Sequence, residues 1–336
     1  MKLILLSDVH LSSKTPIGRL DDYRKTCLRK FEYVLKYAQK LNAIILQAGD
    51  LFDKPRDWFI LLDVIELLKK YPVILNCVYG QHDTYMYSIE NREYTSMGVL
   101  AKNNLINVLS EVAIGPPRYE KGWFVYGISF NPDLEIPKPK GAGLNILVAH
   151  ATVSDIALYP GQAFYDAKKF LKDNKEFDLI LCADIHRHFY FRETETIRHD
   201  DEKRQWTKSK DVKGKDYPLN TRYLVNTGPM MRKDASHYNF SHEPCFYVYD
   251  TETKKLSRGK IPCEPAKKVL SRKHIESSTE ADVMLQTFIS AVRDDKMEVG
   301  ANLVDNIHAF LKKNKIDKSI CNIIEEVMSR YDKEVE

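Results

Sequence analysis

An apolar run the length of a β-strand ends on an Asp, a His or an amide five times in the first 190 residues of this chain. The runs are Leu3–Leu6, Ile44–Ala48, Val73–Tyr79, Leu144–Ala149 and Leu179–Ala183. They lead into Asp8-Val9-His10, Gly49-Asp50, Gly80-Gln81-His82-Asp83, His150 and Asp184-Ile185-His186. Runs of this length and β-branched content read as strands. A sheet whose strands end on such groups collects them along its carboxyl edge, where α/β folds hold their ligands.

The side-chain types then narrow the chemistry. Carboxylate, imidazole and carboxamide are hard or borderline donors. That mixture suits two divalent ions such as Mn²⁺ sharing one carboxylate, an arrangement that hydrolyses phosphate esters. A shared ligand has to be a carboxylate, because each of its oxygens can serve one cation.

Between the runs, helices are expected. Leu28, Phe31, Val34, Leu35 and Ala38 fall on one helical face, and Phe59, Leu62, Ile65 and Leu68–Lys69 read as a second helix, exposed at its Lys69-Lys70 end. From Leu105 to Phe130 the texture changes to short β-runs, with turns at Gly115-Pro116-Pro117 and Lys121-Gly122. Residues 192–222 carry nine Lys or Arg against seven Asp or Glu and few aliphatics. An inserted surface loop is expected there, with Trp206 stacking on a base between Arg204 and Lys208 as the functional alternative.

Phe246–Asp250 and Leu256–Ile261 signal a hairpin. After Pro262 and Pro265 the pattern turns helical. Leu303, Val304, Ile307, Phe310 and Leu311 form one apolar stripe. Ile320, Ile323, Ile324, Val327, Met328 and Tyr331 form another, with Asp317 as its N-cap. A small helical appendage packing on itself and one docking a partner helix both fit. The expected organisation is a catalytic domain over 1–240, a hairpin and linker over 241–265, and a helical partner-binding region over 266–336.

The 336 residues allow one large domain and a small one. A net charge of +4 only weakly favours a polyanionic partner. The six cysteines are scattered without a Cys-x-x-Cys pair, and Cys77 and Cys182 lie in predicted core strands, so buried thiols are expected. The opening MKLILLSD turns polar too soon for a signal peptide. No apolar run approaches the ~20 residues of a membrane span. The expected setting is a reducing cytoplasm, away from membranes.

Taken in order, the five motifs resemble the calcineurin-like metallophosphoesterase superfamily, whose pattern runs Asp-x-His, Gly-Asp, Gly-Asn-His-Asp, His, Gly-His-x-His. Within it, the opening LSDVHLS, the GDLFDKP segment and the chain length most resemble SbcD-type DNA-repair nucleases, which work with an SMC-like ATPase. A weaker echo continues in YLVNTGPMMR and CFYVYDTETKKL. Jointly the motifs are specific, though each alone is weak.

The resemblance implies a four-layer α/β/β/α sandwich. It assigns Asp8, His10 and His186 to a first metal, Asp50 to the bridge, and Gln81, His150 and Asp184 to a second metal. Mn²⁺ is expected ahead of Mg²⁺. His82 would touch the leaving oxygen rather than a metal, a role suited to an imidazole that exchanges protons near neutrality. Asp83 would orient or charge-stabilise the His82 ring. The nucleophile would be a water that the ions make more acidic.

Two positions depart from the family form: Gln81 stands where the pattern has Asn, and Asp184 where it has His. A rival register would use His186 and His188, leaving Asp184 outside the ligand set. Both departures serve the second metal. They compensate for each other or they weaken that site.

By resemblance the function is Mn²⁺-dependent DNA phosphodiester hydrolysis, exonucleolytic and with endonucleolytic action left open. The partners would be DNA and an SbcC-type SMC-like ATPase, with the protein a homodimer within a heterotetramer. A small-molecule phosphatase or phosphodiesterase on the same fold is one alternative. A catalytically degenerate DNA- or ATPase-binding subunit is the other.

Overall fold

A computed structural model describes residues 1–86, 88, 90–110, 122–131, 133–139, 143–157, 161–200, 205–207, 216–273, 275, 308, 311–312, 318, 321–322 and 324. The chain divides into two compact units, Met1–Leu270 and Ser271–Glu336. The elements of the first unit, in chain order, are β1 (Lys2–Leu6), α1 (Tyr23–Leu41), β2 (Ile44–Gln47), α2 (Trp58–Lys70), β3 (Leu75–Cys77), α3 (Ser96–Lys102), β4 (Asn107–Val108), β5 (Trp123–Ile128), β6 (Leu144–Ala149), β7 (Val153–Ser154), β8 (Tyr165–Asp166), α4 (Ala167–Asp173), β9 (Leu179–Cys182), β10 (Phe189–Asp200), β11 (Gln205–Thr207), β12 (Asp216–Asn226), α5 (His237–Ser241), β13 (Cys245–Asp250), β14 (Lys255–Lys260) and α6 (Ala266–Val269).

Two six-stranded sheets form, in the orders β14-β13-β1-β2-β3-β4 and β11-β10-β12-β9-β6-β5. Their central strands run parallel, with β1 beside β2, β2 beside β3, β5 beside β6, and β6 and β12 flanking β9. Strands covered on both faces read as continuous apolar runs, which is why the sequence shows runs rather than alternation. Period two still operates inside each run. Along β1, Ile4 and Leu6 face Phe31, Leu35, Ile60 and Val64 of the helices. Leu3 and Leu5 face the other way, into a core with Ile146, Val148, Leu179 and Leu181. On the far side of the second sheet, Leu147 and Ile180 pack on Phe170 and Leu171 of α4. Three cores between four layers make the expected α/β/β/α sandwich.

Helix α1 begins because the Asp22 side chain accepts the Lys25 amide, and it ends where Asn42 turns left-handed (φ 48°). Its buried Lys30 donates to the Met230 carbonyl at 2.9 Å. The Met230 amide in turn donates to the Asp8 carbonyl at 3.0 Å, which ties the helix to the end of β1.

Three features go beyond the sequence reading or differ from it. Helix α2 buries Ile60, Leu61, Val64 and Leu68, while Phe59 and Leu62 are 73% and 66% exposed. Its sequence is apolar on nearly every side, so periodicity cannot choose a face. The rotation is set by Asp57, which caps the Ile60 amide and also accepts the Ser13 amide at 2.8 Å. Residues 192–222 are not a surface loop where they are described. β10 and β12 run antiparallel through most of the stretch, with β11 on the outer edge of β10. Polar cross-strand pairs such as Glu193 opposite Arg222 and Thr194 opposite Thr221 replace aliphatic burial, so the pattern carries no hydrophobic signal. The hairpin set apart at 241–265 belongs to the first sheet, because β13 pairs with β1 over most of its length.

Cys27, Cys77, Cys182 and Cys245 are buried free thiols. No described helix is long and apolar enough to cross a membrane. The C-terminal apolar stripes and Asp317 lie outside the described residues, save Leu311 and Ile324.

Candidate metal centre

The ends of β1, β2, β3, β6 and β9 bring Asp8, His10, Asp50, Gln81, His82, His150, Asp184 and His186 to one place. The backbone bends sharply to do so. Asp8, His10, Asp50 and Asp184 all adopt left-handed φ values, of 46°, 49°, 54° and 77°. Such a backbone costs about 1–3 kcal/mol per residue and persists where the surrounding structure enforces it, commonly at functional sites. Two glycines make room. A Cβ at Gly49 (φ +92°) would lie 2.3 Å from His150 Nδ1, and one at Gly80 would lie 2.0 Å from Asp50 Oδ1.

Ligand-type atoms of Asp8, His10, Asp50 and His186 lie within 4.8 Å of one another. His10 Nε2 and His186 Nε2 are 2.8 Å apart. Asp8 Oδ1 takes the Asp184 amide at 3.1 Å. Asp8 Oδ2 and Asp50 Oδ2 are buried with no hydrogen-bond partner. Asp50 Oδ1 accepts the His82 amide at 2.9 Å. Its free Oδ2 stands 3.7 Å from His10 Nε2 and 3.7 Å from His150 Nε2. One oxygen therefore faces both sides of the site.

Electrostatics agree with a cation site. Burial, joined by the charges of Asp50 and Asp184, pushes the Asp8 carboxyl well above its ordinary range. Burial raises Asp50 too. Burial lowers His10 and His150, keeping both rings neutral with a lone pair to give. Buried acids that resist ionisation beside neutral imidazoles are the condition a divalent ion relieves. Orphaned oxygens in this donor set fit such ions.

On the far side of Asp50, His150 Nδ1 sits 2.7 Å from the Ala48 carbonyl. A carbonyl only accepts, so Nδ1 carries the proton and Nε2 is a lone pair. That lone pair faces Gln81 Oε1 at 2.5 Å. Gln81 Nε2 donates to Asp184 Oδ1 at 2.7 Å, and Thr152 Oγ1 donates to Asp184 Oδ2 at 2.5 Å. Asp184 thus reaches the site with both oxygens already engaged. His188 is directed elsewhere, hydrogen-bonded to Tyr247 Oη at 2.9 Å and stacked on its ring.

The role expected of Asp83 needs correcting. Its carboxylate accepts the amides of Phe52 (2.9 Å), Leu51 (3.2 Å) and Gly80 (3.0 Å). It braces two turns of backbone, since three converging N–H groups satisfy a buried carboxylate better than one ring nitrogen. The group beside His82 is Asp53, whose backbone carbonyl meets His82 Nδ1 at 3.2 Å. Asp53 Oδ1 also faces His10 Nδ1 at 3.5 Å and pairs with Lys233. Burial works to raise the Asp53 carboxyl, but the facing His10 ring and the Lys233 ammonium prevail and hold it down at about 2. Sequence reasoning missed Asp53, Lys233 and Thr152. Asp53 stands inside the GDLFDKP segment, but only the fold brings Lys233 to it.

The profile of the calcineurin-like phosphoesterase family matches residues 1–188, the stretch that supplies every ligand-type side chain of the centre. The chain belongs to the calcineurin-like phosphoesterase family. It is a member by sequence profile and by a centre able to hold divalent metal, hence a metal-dependent hydrolase. Among solved structures it is similar to TT1561 of Thermus thermophilus, at 13% identity and a TM-score of 0.43, over 78% of this chain and 99% of that one. A search of curated proteins finds no match.

Proposed function

We propose that this phosphoesterase is a Mn²⁺-dependent DNA nuclease that hydrolyses phosphodiester bonds with two ions. The observation that supports this most is where the GDLFDKP segment lies. This segment, by which the chain resembles SbcD-type nucleases, contributes Asp50 to the centre. It also contributes Asp53, which touches both His10 and His82. Bound ions would supply the Lewis acidity that activates a water and offsets phosphoryl charge.

The chain's own residues do the rest. Asp50 places one oxygen between the two imidazole sets. The Asp53 carbonyl fixes the proton on His82 Nδ1, which leaves His82 Nε2 to exchange a proton with the leaving oxygen. No Ser or Cys nucleophile is required, and no covalent intermediate forms.

The same resemblance extends the proposal to partners. Residues 266–336 would dock a helical segment of an SMC-like ATPase, with the protein a homodimer in the assembly. The test is incubation of labelled linear duplex and single-stranded DNA with the protein and Mn²⁺, Mg²⁺ or chelator. Mn²⁺-dependent cleavage is expected. Turnover of p-nitrophenyl phosphate without any DNA cleavage would assign the protein to the phosphatases. Loss of co-purification with the ATPase on removal of 266–336, with nuclease activity retained, would support the docking role.

A further inference from the structure

We infer that Asp184 and Thr152 are positioning residues that aim the Gln81 side chain, and that the second ion is held by Asp50, Gln81 and His150 with Asp184 outside its ligand set. The inference rests on the metal-dependent part of the proposed function and is independent of the DNA substrate.

Donors and acceptors decide the orientation of the amide. A carboxylate only accepts, so the group that Gln81 turns toward Asp184 must be its NH₂. Reversing the amide would set oxygen against oxygen. The Gln81 carbonyl oxygen is thereby forced toward His150 Nε2, already a lone pair because the Ala48 carbonyl holds the proton on Nδ1. Asp50 Oδ2, buried and without a partner, lies 3.7 Å from the same nitrogen. Three acceptors converge with no donor among them, and a cation is what such a point attracts.

Asp184 is turned away from them. Its two oxygens receive the Gln81 amide and the Thr152 hydroxyl at 2.7 and 2.5 Å, both charge-assisted bonds. Each oxygen keeps a second lone pair, so Asp184 is held back by direction: the two bonds turn its oxygens toward Gln81 Nε2 and Thr152 Oγ1.

The two departures from the family pattern thus fit one exchange. Shortening His to Asp withdraws a donor from the ion and leaves an acceptor behind it. Lengthening Asn to Gln lets the amide reach that acceptor while its oxygen stays on the His150 side. The negative charge remains near the site, one hydrogen bond removed.

The test is calorimetric titration of the full-length protein with Mn²⁺, followed by diffraction from Mn²⁺-soaked crystals. Thr152 coordinates in neither arrangement, so its variants isolate the positioning role. Thr152→Val is expected to weaken the second ion about 10–100-fold, the usual effect of losing a residue that orients a ligand, and to leave the first unchanged. Thr152→Ser, which keeps the hydroxyl, is expected to match the native titration. In crystals, the Asp184 oxygens should stay on Gln81 Nε2 and Thr152 Oγ1. Native affinity for the second ion in Thr152→Val, binding of one Mn²⁺ only by the native protein, or an Asp184 oxygen bonded to the ion would each overturn the inference. No substrate enters these measurements, so a protein that failed to cut DNA would still give a decisive titration.

Discussion

On one side of Asp50 Oδ2 stand His10, His186 and the unpartnered oxygen of Asp8. On the other stand His150 and Gln81. The first side leaves one Asp8 oxygen bare beside two imidazoles whose Nε2 atoms meet at 2.8 Å, steadied from behind by Asp53, Lys233 and the Asp184 amide. The second side is a chain of hydrogen bonds running from Thr152 through Asp184 to Gln81. The same fold edge therefore builds a cation site in two ways: by leaving acceptors bare, and by using up every donor until only acceptors face inward. The second way tolerates changes of residue type, because what matters is the direction an amide points rather than which side chain occupies the slot.

Removing the oxygen common to both sides should have the largest effect. Asp50→Ala is expected to lose both ions and reduce turnover to the level of chelator-treated protein. Metal analysis beside an activity assay checks this, and native turnover in the variant would end the shared-oxygen account.

Separating the sides comes next. His186→Ala should cost one ion and His150→Ala the other, with Mn²⁺ anomalous peaks vanishing from opposite sides of Asp50. Loss of the same peak in both variants would mean that the two sides are one site.

A smaller effect is expected from the residue that belongs to neither. His82→Ala should keep both ions and lower turnover by ~10²–10⁴, the usual contribution of a general acid. A drop in metal stoichiometry would instead make His82 a ligand.

Asp53→Asn tests the support of the first side. A carboxylate that holds a metal-ligating His from behind is typically worth about 10–100-fold in affinity. We therefore expect the first ion to weaken by about that factor while the second is unmoved. Titration at two pH values sharpens the comparison further. Burial holds the Asp50 carboxyl above its ordinary range, so protons compete with metal at higher pH than an ordinary carboxylate would allow. Affinity should rise with pH until that group has ionised and then level off. It should fall about tenfold per unit below that point for the second ion and more steeply for the first, whose ligand Asp8 is raised by burial as well.

Much of the centre is legible in the sequence. Strand runs announce themselves locally, and the residue at the end of each is read directly, so Asp8, His10, Asp50, Gln81, His82, His150 and His186 can be placed at one sheet edge. The roles of Asp83 and Asp184 are not legible there. A carboxylate in a motif looks the same whether it faces a metal, a ring or three backbone amides.

What the sequence determines by itself is the order of strands and turns and the chemical type of each side chain at the sheet edge, because these depend on neighbours a few residues apart. The tertiary structure decides which partner each polar group finds. Gln81 meets Asp184 across 103 residues of chain, and Lys233 meets Asp53 across 180. It also decides which side of α2 is buried, since that helix is apolar nearly all round and is anchored by polar contacts of Asp57 with Ser13 and of Asp63 with Arg24. The same holds for the polar stretch of β10 and β12, where Glu193 and Thr194 stand opposite Arg222 and Thr221, while Phe189, Leu224 and Val225 at the inner end enter the cores. Hydrogen bonds act over about 3 Å and are indifferent to separation along the chain. The positions of donors and acceptors in space, rather than in sequence, therefore settle what Asp83 braces and what Asp184 aims.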